Sequence, residues 1–245
     1  MYSSISVVVP VYNGENSIGE LGNRLIKVLT SITHEYEIIM VDDGSTDNSF
    51  SEMSKLHANC KAVNVICLAG NFGQQNAIMC GLRHTTGDFV ITIDDDLQHP
   101  PEEIPKLLLK LEEGFDVVYG IPAAKNQSII RNLGTIVTDL FFRLVCLKPK
   151  AVKVGSFRGL KRQVVEKIST EKNRSFVYIT AITLKHTKNI GNVTVEHANR
   201  QYGSSNYNLF KLINLFCKLF INYSGLPFKS RENKLPQYII KHIEF

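Results

Sequence analysis

The chain has 245 residues, 44% of them hydrophobic, which is enough to bury one substantial core and leave a short tail. Residues 1–125 carry 8 Lys/Arg against 17 Asp/Glu, and this acidic half suits a cation site. Residues 126–245 carry 20 Lys/Arg against 6 Asp/Glu, and this basic half suits an anionic partner such as phosphate, nucleic acid or a lipid surface. No stretch approaches the roughly 20 consecutive apolar residues of a membrane span, and five cysteines without a Cys-x-x-Cys pair favour a reduced, cytoplasmic setting.

Strand-like and helix-like segments alternate through the first half of the chain. Short β-branched runs predict strands, and apolar residues at helical spacing predict the helices between them. The predicted strands cover residues 6–11, 37–41, 63–68, 88–93 and 115–119, and the predicted helices begin near Ile18, just after residues 45–47, at Gln74 and at Pro101. This alternation predicts right-handed βαβ units, and therefore an α/β fold with a mixed, mostly parallel sheet flanked by helices.

The second half is less regular. An apolar helix is expected over residues 129–147, a strand over residues 192–197 and an amphipathic helix over about 208–223. We expect residues 1–227 to form one domain and residues 228–245 a C-terminal tail. The amphipathic helix places Lys211 and Lys218 beside apolar residues, so it either lies on an anionic bilayer surface or packs on the sheet. Its apolar residues are Leu209, Leu212, Ile213, Phe216, Leu219 and Phe220.

Polar residues follow the predicted strands. These segments are residues 10–15, 42–45, 69–73 and 94–96. Because ligands in such sheets bind beyond the carboxyl ends of the strands, the segments are predicted to meet in one site. The adjacent carboxylates of Asp94, Asp95 and Asp96 favour Mg²⁺ or Mn²⁺, with Gln98 as a neutral oxygen ligand, whereas the alternative is a solvated acidic turn.

Four motifs occur together in a fixed order at these strand ends. They are Val8-Val9-Pro10-Val11-Tyr12-Asn13, Val41-Asp42-Asp43-Gly44-Ser45-Thr46-Asp47, Asn71-Phe72-Gly73-Gln74 and Asp94-Asp95-Asp96-Leu97-Gln98-His99-Pro100-Pro101-Glu102. In this combination the chain resembles the family 2 inverting glycosyltransferases of GT-A fold. Within this family, the motifs are similar to the branch that uses polyprenyl phosphates, which includes dolichol-phosphate mannose synthases and undecaprenyl-phosphate glucosyl and 4-deoxy-4-formamido-arabinose transferases, and the string from Asp96 to Glu102 is the piece most specific to it. The resemblance extends through Arg200-Gln201-Tyr202-Gly203-Ser204-Ser205-Asn206-Tyr207. The resemblance covers residues 5 to about 227.

The resemblance implies a Rossmann-like GT-A domain that binds a nucleotide-sugar, with a UDP-sugar favoured, and a divalent cation, Mg²⁺ or Mn²⁺. It implies nucleotide-sugar contacts from Pro10, Tyr12, Glu15, Asp42, Asn71, Asp94 and Asp95. It implies metal contacts from Asp94, Asp96 and Gln98, and catalytic or phosphate-binding roles for Asp94, Asp96, Arg131 and Arg200. Within the acidic run, we expect Asp96 and Gln98 to be the direct ligands, Asp94 to bridge toward the nucleotide and Asp95 to point away.

The resemblance implies a polyprenyl-phosphate acceptor and no nucleic-acid partner. The basic second half and the amphipathic helix predict contact with a membrane surface at the cytoplasmic face. Because no membrane span is predicted, a small membrane-spanning partner is a further hypothesis. The expected product serves cell-envelope glycan synthesis. Two positions depart from the family pattern: Ser156 stands where many relatives have Asp before Phe-Arg, and Asn206 stands where Lys is usual. These missing charges leave the donor sugar open.

Few carboxylates in the second half are available as a general base. Residues 126–199 contain only Asp139, Glu166, Glu171 and Glu196. Transfer to a hydroxyl acceptor generally needs a base, whereas a phosphate oxygen is already anionic, so this scarcity favours a phosphate acceptor. Two alternatives stay open: a hydroxyl of a lipid-linked or polysaccharide glycan as acceptor, and an inactive homologue that serves as a binding subunit.

Overall fold

A mixed β-sheet with helices on both faces organises the chain. The computed structural model describes residues 2–123, 139, 141–171, 176–198, 209–224 and 237–245, with the side chains of the last helix described from Asn214 onward. The strands in these residues are β1 (Ser4–Val11), β2 (Glu35–Asp42), β3 (Val63–Leu68), β4 (Phe89–Thr92), β5 (Val117–Pro122), β6 (Arg158–Lys161), β7 (Ile190–Val195) and β8 (Ile240–Glu244). The helices are α1 (Ile18–Ile32), α2 (Ser49–Asn59), α3 (Gln74–His84), α4 (Ile104–Glu112), α5 (Arg162–Ser169), α6 (Ile179–His186) and α7 (Leu209–Tyr223), and a 3₁₀ turn (Pro101–Glu103) precedes α4.

The strand order across the sheet is β7-β5-β6-β4-β1-β2-β3-β8. β1 lies near the centre and runs parallel to both β2 and β4, with Val11 level with Asp42 and Val8 level with Thr92. β3 continues the parallel set beyond β2. β6 runs antiparallel between β4 and β5, and β8 runs antiparallel to β3. The predicted mixed, mostly parallel sheet is confirmed, and the carboxyl ends of β1 to β4 meet at one edge.

Side chains that alternate along β1 divide the core into two layers. Val7 and Val9 pack with Leu25 of α1, in a cluster that also contains buried residues of α2 and α4. Val8 points to the opposite face, where it packs with Ile78 of α3 and with residues of α5 and α6. Both faces of β1 are therefore covered, which explains why its sequence is a continuous apolar run rather than an alternating one.

Helix α7 packs on the protein through one face. Leu219 is buried, and the Phe216 ring lies 5.7 Å from the Phe141 ring, centroid to centroid. The hydroxyl of Tyr223 donates to the carbonyl of Phe176 at 3.1 Å. Phe216, Leu219 and Phe220 belong to the core on this side of the sheet, so for these residues packing on the sheet domain is the outcome. In the part of the chain that the structure describes, no helix has the length and apolar character needed to cross a membrane.

Several elements differ from the sequence predictions. β6, α5 and α6 were not predicted, and residues 240–244, assigned to a C-terminal tail, form the edge strand β8 instead. The helix expected over residues 129–147 is described only at residue 139 and from residue 141, and its helical part ends at residue 144. Leu147 adopts φ 53°, a left-handed conformation that cannot continue a right-handed helix.

Gly81 is required where α3 crosses β1. A Cβ added at Gly81 would lie 2.3 Å from Cγ1 of the fully buried Val8. We predict that Gly81→Ala lowers the free energy of unfolding by about 1–3 kcal/mol, because a tightly packed core has no room for the methyl group. Gly19→Ala is the matched control, since nothing lies within 4 Å of its added Cβ; it should raise stability by about 0.5–1 kcal/mol through helix propensity. Urea unfolding of both variants checks this, and equal shifts in both would contradict it.

Candidate active site

The loops after β1 and β2 are joined by reciprocal hydrogen bonds. The backbone N–H of Asn13 donates to the Ser45 hydroxyl at 2.9 Å, and the Asn13 side-chain oxygen accepts the N–H of Thr46 at 2.9 Å. Asn13 itself has φ 53°, which asparagine tolerates better than most residues. This conformation turns the chain so that the two loops support each other at the edge of the sheet.

The predicted nucleoside-binding residues of the first loop have different surroundings. Tyr12 is 49% exposed, so its ring is free to stack on a ligand, whereas Pro10 is buried within β1. Glu15 Oε2 accepts hydrogen bonds from both the backbone N–H and the side-chain amide of Asn48, each at 2.9 Å. Glu15 therefore holds the start of α2 in place, an interaction that the sequence did not indicate.

Asp42 and Asp43 hold two different loops. Asp42, 2% exposed, accepts the N–H of Ser45 at 3.0 Å, so it caps its own turn while standing at the end of β2 where a nucleoside contact was predicted. The Asp43 carboxylate accepts the N–H groups of Phe72 and Gly73 at 2.7 and 2.8 Å. Burial raises the pKa of Asp43, although these two N–H donors oppose the shift. Asp43 thus fixes the loop that leads into α3.

Gly44 allows the second and third loops to touch. Its φ of 71° lies in the left-handed region, and an added Cβ would stand 2.5 Å from the carbonyl carbon of Gly70. Both features exclude a larger residue at this position. Asn71, the next residue of the third loop, is exposed at the same edge of the sheet.

Both carboxylate oxygens of Asp94 accept hydrogen bonds from distant parts of the chain. Oδ1 accepts the side-chain amide of Gln74 at 2.7 Å, and Oδ2 accepts the hydroxyl of Ser156 at 2.6 Å. Asp96 Oδ1 accepts the backbone N–H of Gln98 at 3.1 Å. These contacts give Asp94 and Asp96 defined orientations at the end of β4.

Asp95 is oriented differently from Asp94 and Asp96. Its Oδ2 accepts the backbone N–H of Tyr12 at 3.4 Å, and the same oxygen would lie 2.6 Å from a Cβ added at Gly14. Burial raises the pKa of the Asp95 carboxyl to about 7. Such a carboxyl carries less negative charge near neutral pH than an ordinary aspartate, which reduces the repulsion within the acidic run.

The segment after the acidic run is held in an unusual conformation. Leu97 is buried with φ 58°, a left-handed conformation that is costly for leucine and that clusters at functional sites. The Gln98 carbonyl accepts the N–H of Ala198 at 2.9 Å, and the His99 ring stacks on Phe157 with the centroids 5.1 Å apart. The loop that carries Gln98 is therefore clamped from two sides.

The donor set suits a cation that completes its coordination with substrate oxygens. Among the described residues, no group of three or more His, Cys, Asp and Glu side chains could hold a metal ion by itself. Asp94, Asp96 and the amide oxygen of Gln98 offer oxygen ligands only, and Mg²⁺-type ions in such sites take the rest from phosphates and water. Arg131 and Arg200, predicted to bind phosphates, lie outside the described residues, as does Asn206.

Asp43 and Gln74 are among the structural supports of the site whose roles the sequence did not indicate. Asp43 is adjacent to a predicted ligand, and its neighbour Gly44 was a usable signal of a constrained turn. Gln74 was recognised as the end of the third motif and the start of a helix, but nothing local indicates that its amide reaches Asp94.

The chain is similar to known proteins over most of its length. The family described as Glycosyl transferase family 2 matches residues 6–169. The undecaprenyl-phosphate 4-deoxy-4-formamido-L-arabinose transferase of Yersinia pestis (strain Pestoides F) is 37% identical over 228 residues, which cover 92% of this chain and 69% of the relative. The Yersinia enterocolitica protein of the same name has the same identity and coverage.

Solved structures show the same architecture. Glucosyl-3-phosphoglycerate synthase from Mycobacterium tuberculosis, in complex with Mn²⁺, UDP and phosphoglyceric acid, superposes with a TM-score of 0.68 at 20% identity, covering 92% of this chain and 80% of that one. The same synthase with Mn²⁺, UDP and glucosyl-3-phosphoglycerate gives a TM-score of 0.67 at 19% identity, with 90% and 80% coverage. The GT-A fold expected from the motifs is confirmed.

Gly14 tests whether the first loop must close over Asp95. Gly14→Ala places its methyl group 2.6 Å from Asp95 Oδ2, so either the Asp95 carboxylate or the loop has to shift, and the hydrogen bond from the Tyr12 N–H to Asp95 is disturbed. We predict that UDP binds at least about tenfold more weakly, the equivalent of roughly 1.4 kcal/mol. Gly70→Ala is the control at the same edge, because nothing lies within 4 Å of its added Cβ. Calorimetric titration with UDP measures both, and unchanged affinity in Gly14→Ala would refute the requirement for closure.

Proposed function

Because the chain belongs to glycosyl transferase family 2, we propose that it transfers a sugar from a nucleotide-sugar, preferably a UDP-sugar, to a polyprenyl phosphate such as undecaprenyl phosphate. The observation that carries the proposal is the oriented acidic pair Asp94 and Asp96 at the end of β4. It occurs in a chain 37% identical to transferases named for undecaprenyl phosphate. The product would serve cell-envelope glycan synthesis at the cytoplasmic face of the membrane.

The donor would lie along the edge formed by the strand ends. The exposed Tyr12 ring offers a stacking surface for the base, and Asp42 offers a carboxylate once it exchanges a contact within its turn for one with the nucleoside. Asp94, Asp96 and Gln98 would hold Mg²⁺ or Mn²⁺ with the diphosphate. When bound, this cation supplies Lewis acidity that stabilises the departing nucleoside diphosphate.

The acceptor chemistry follows from the charges of the second half. Asp139 pairs with Arg143 at 2.6 Å and with Lys148 at 3.0 Å, and Glu171 pairs with Lys185 at 2.6 Å. These carboxylates are occupied by cations, and a general base is unnecessary if the acceptor oxygen is already anionic. Arg131 and Arg200 are proposed to bind the acceptor and donor phosphates, for which bidentate guanidinium groups are well suited.

The proposed reaction is a single displacement with inversion. A phosphate oxygen of the acceptor forms a bond to the anomeric carbon as the bond from that carbon to the diphosphate oxygen breaks. The electron pair of the broken bond leaves with the nucleoside diphosphate, and no proton is transferred. The protein's part is to align the two phosphates and to offset their negative charge.

We also propose a membrane-facing surface, the basic turn, formed by residues 143–150. Leu144 and Leu147 are 71% and 70% exposed, which is unusual for two leucines so close together. Arg143 donates to the carbonyl of Lys150 at 3.4 Å, and Lys188 contacts the carbonyl of Cys146. Two exposed leucines beside the exposed cations Arg143, Lys150 and Lys188 match an anionic bilayer surface, where insertion of the apolar side chains and attraction between charges both favour binding.

Asp96→Ala tests the enzymatic proposal. Transfer of radiolabelled sugar from UDP-sugars to undecaprenyl phosphate should fall roughly 100-fold or more, because the charge of the leaving group loses its main stabilisation. Asp88→Ala is the control, because it removes a carboxylate next to the opposite end of β4. Retained transfer in Asp96→Ala would contradict the site. Labelled glycan without labelled lipid would establish a hydroxyl acceptor, and no transfer to any acceptor by the unmodified chain would indicate a binding subunit.

A double variant tests the basic turn. Leu144→Glu with Leu147→Glu should reduce binding to vesicles containing anionic lipid at least about tenfold, because two apolar side chains no longer insert. Leu109→Glu is the control: Leu109 is 55% exposed on α4 and lies outside the turn. Vesicle flotation of the full chain measures both. Equal loss in the control, or unchanged flotation of the double variant, would rule out this surface.

A further inference from the structure

Arg158 is a buried cation whose acceptors in the described chain are all uncharged. The residue is 2% exposed at the start of β6, between β4 and β5. Its Nε donates to the hydroxyl of Thr92 at 3.1 Å and to the carbonyl of Ser156 at 3.2 Å, and one terminal nitrogen donates to the hydroxyl of Thr180 at 3.4 Å. The guanidinium also lies 5.8 Å from the centroid of the Tyr119 ring. A buried charge with only neutral acceptors is costly, so its retention calls for a reason beyond packing.

The contacts of Arg158 lead directly to Asp94. Thr92 and Arg158 both donate to the carbonyl of Ser156, at 2.8 and 3.2 Å, which fixes the backbone of that residue. The Ser156 hydroxyl then donates to Asp94 Oδ2 at 2.6 Å. Ser156 therefore links Arg158 to Asp94 through hydrogen bonds.

We propose that Arg158 and Ser156 are positioning residues of the donor site: Arg158 fixes Ser156, and Ser156 holds Asp94 in the orientation that receives the metal-bound diphosphate. The inference rests on the proposed function, because it assumes that Asp94 serves that site. The Gln74 amide donates to the other oxygen of the same carboxylate, so each oxygen of Asp94 accepts a hydrogen bond from a different side chain. A carboxylate held at both oxygens loses little freedom when a cation binds.

The charge of Arg158 has a second consequence for the same site. Three adjacent carboxylates repel one another at the end of β4, and Asp94 must keep its place among them. Arg158 is a fixed positive charge on β6, the strand next to β4, and it lies in surroundings of low dielectric. From there it attracts the carboxylates of Asp94, Asp95 and Asp96 without contacting them directly. The structure thus separates the residue that supplies positive charge from the residue that contacts the carboxylate.

The test measures the metal gain, defined as the Kd of UDP in EDTA divided by its Kd in Mn²⁺, by calorimetric titration. We expect Ser156→Ala to lower the metal gain roughly tenfold, as the loss of one hydrogen bond to a charged group predicts. UDP affinity in EDTA should stay unchanged, because the contacts of the nucleoside are not touched. Ser156→Thr retains the hydroxyl and should restore most of the gain.

Arg158→Lys tests the upstream step. It keeps a positive charge but loses the planar group that reaches Thr92 and Ser156 together, so it should reduce the metal gain as well. The double variant with Ser156→Ala should lose no more than Ser156→Ala alone, because both act on one path. Thr183→Val is the control: Thr183 is buried nearby and donates to the carbonyl of Ile179 at 2.8 Å, so the change should lower the melting temperature and leave the metal gain intact.

Each step of the proposed path can be overturned by a separate result. A metal gain unchanged by Ser156→Ala, or equally lowered by Thr183→Val, overturns the positioning role. Additive losses in the double variant overturn the path from Arg158 through Ser156. Asp94→Asn separates the inference from its premise: if that variant keeps the full metal gain, the donor-site assignment fails, whereas loss of the gain in Asp94→Asn with no effect of Ser156→Ala refutes the positioning role alone.

Discussion

The crowding of five carboxylates at the ends of β2 and β4 is the constraint on which the rest of the site depends. The parallel strands β1, β2 and β4 bring these carboxylates to one edge of the sheet. The chain offsets the repulsion by supplying a donor to each group. Each carboxylate accepts at least one hydrogen bond. The donors are Ser45 to Asp42, Phe72 and Gly73 to Asp43, Gln74 and Ser156 to Asp94, Tyr12 to Asp95, and Gln98 to Asp96. Most of the loop geometry at this edge follows from these bonds.

This arrangement divides the acids into two groups. Asp43 and Asp95 accept hydrogen bonds from backbone N–H groups of neighbouring loops and therefore hold those loops in place. Burial raises the pKa of both carboxyls. Asp94 and Asp96 stand at the end of β4 with orientations set by side chains and by their own turn. Of these four acids, the proposed cation site uses only Asp94 and Asp96, together with Gln98, while Asp42 is proposed to contact the nucleoside. A motif of three identical residues thus contains one residue with a structural role and two suited to ligand binding.

Much of the fold could be predicted from local pattern, and less of the site. The predicted limits of residues 63–68 and the predicted start of α3 at Gln74 coincide with the structure, and the helix predicted over about 208–223 is observed at Leu209–Tyr223. Apolar periodicity and flanking turn residues act within each of these segments. The strands β6 and β8 were not predicted, because each forms only against a partner strand that is distant in the sequence. The same reason hid the supports of Asp94: Ser156 is 62 positions from it, and no local signal joins them. The Asp94 motif itself was recognisable because its residues are contiguous.

We propose that the strand ends hold a nucleoside diphosphate, with the cation at Asp94 and Asp96 and the base near Asp42. The most direct test is a crystal structure of the chain grown with UDP and Mn²⁺, using anomalous scattering to locate manganese. We expect one strong peak within bonding distance of carboxylate oxygens of Asp94 or Asp96 and of the diphosphate, with uracil beside Tyr12 and Asp42. Manganese bound away from the end of β4, or uracil on another part of the sheet, would contradict it.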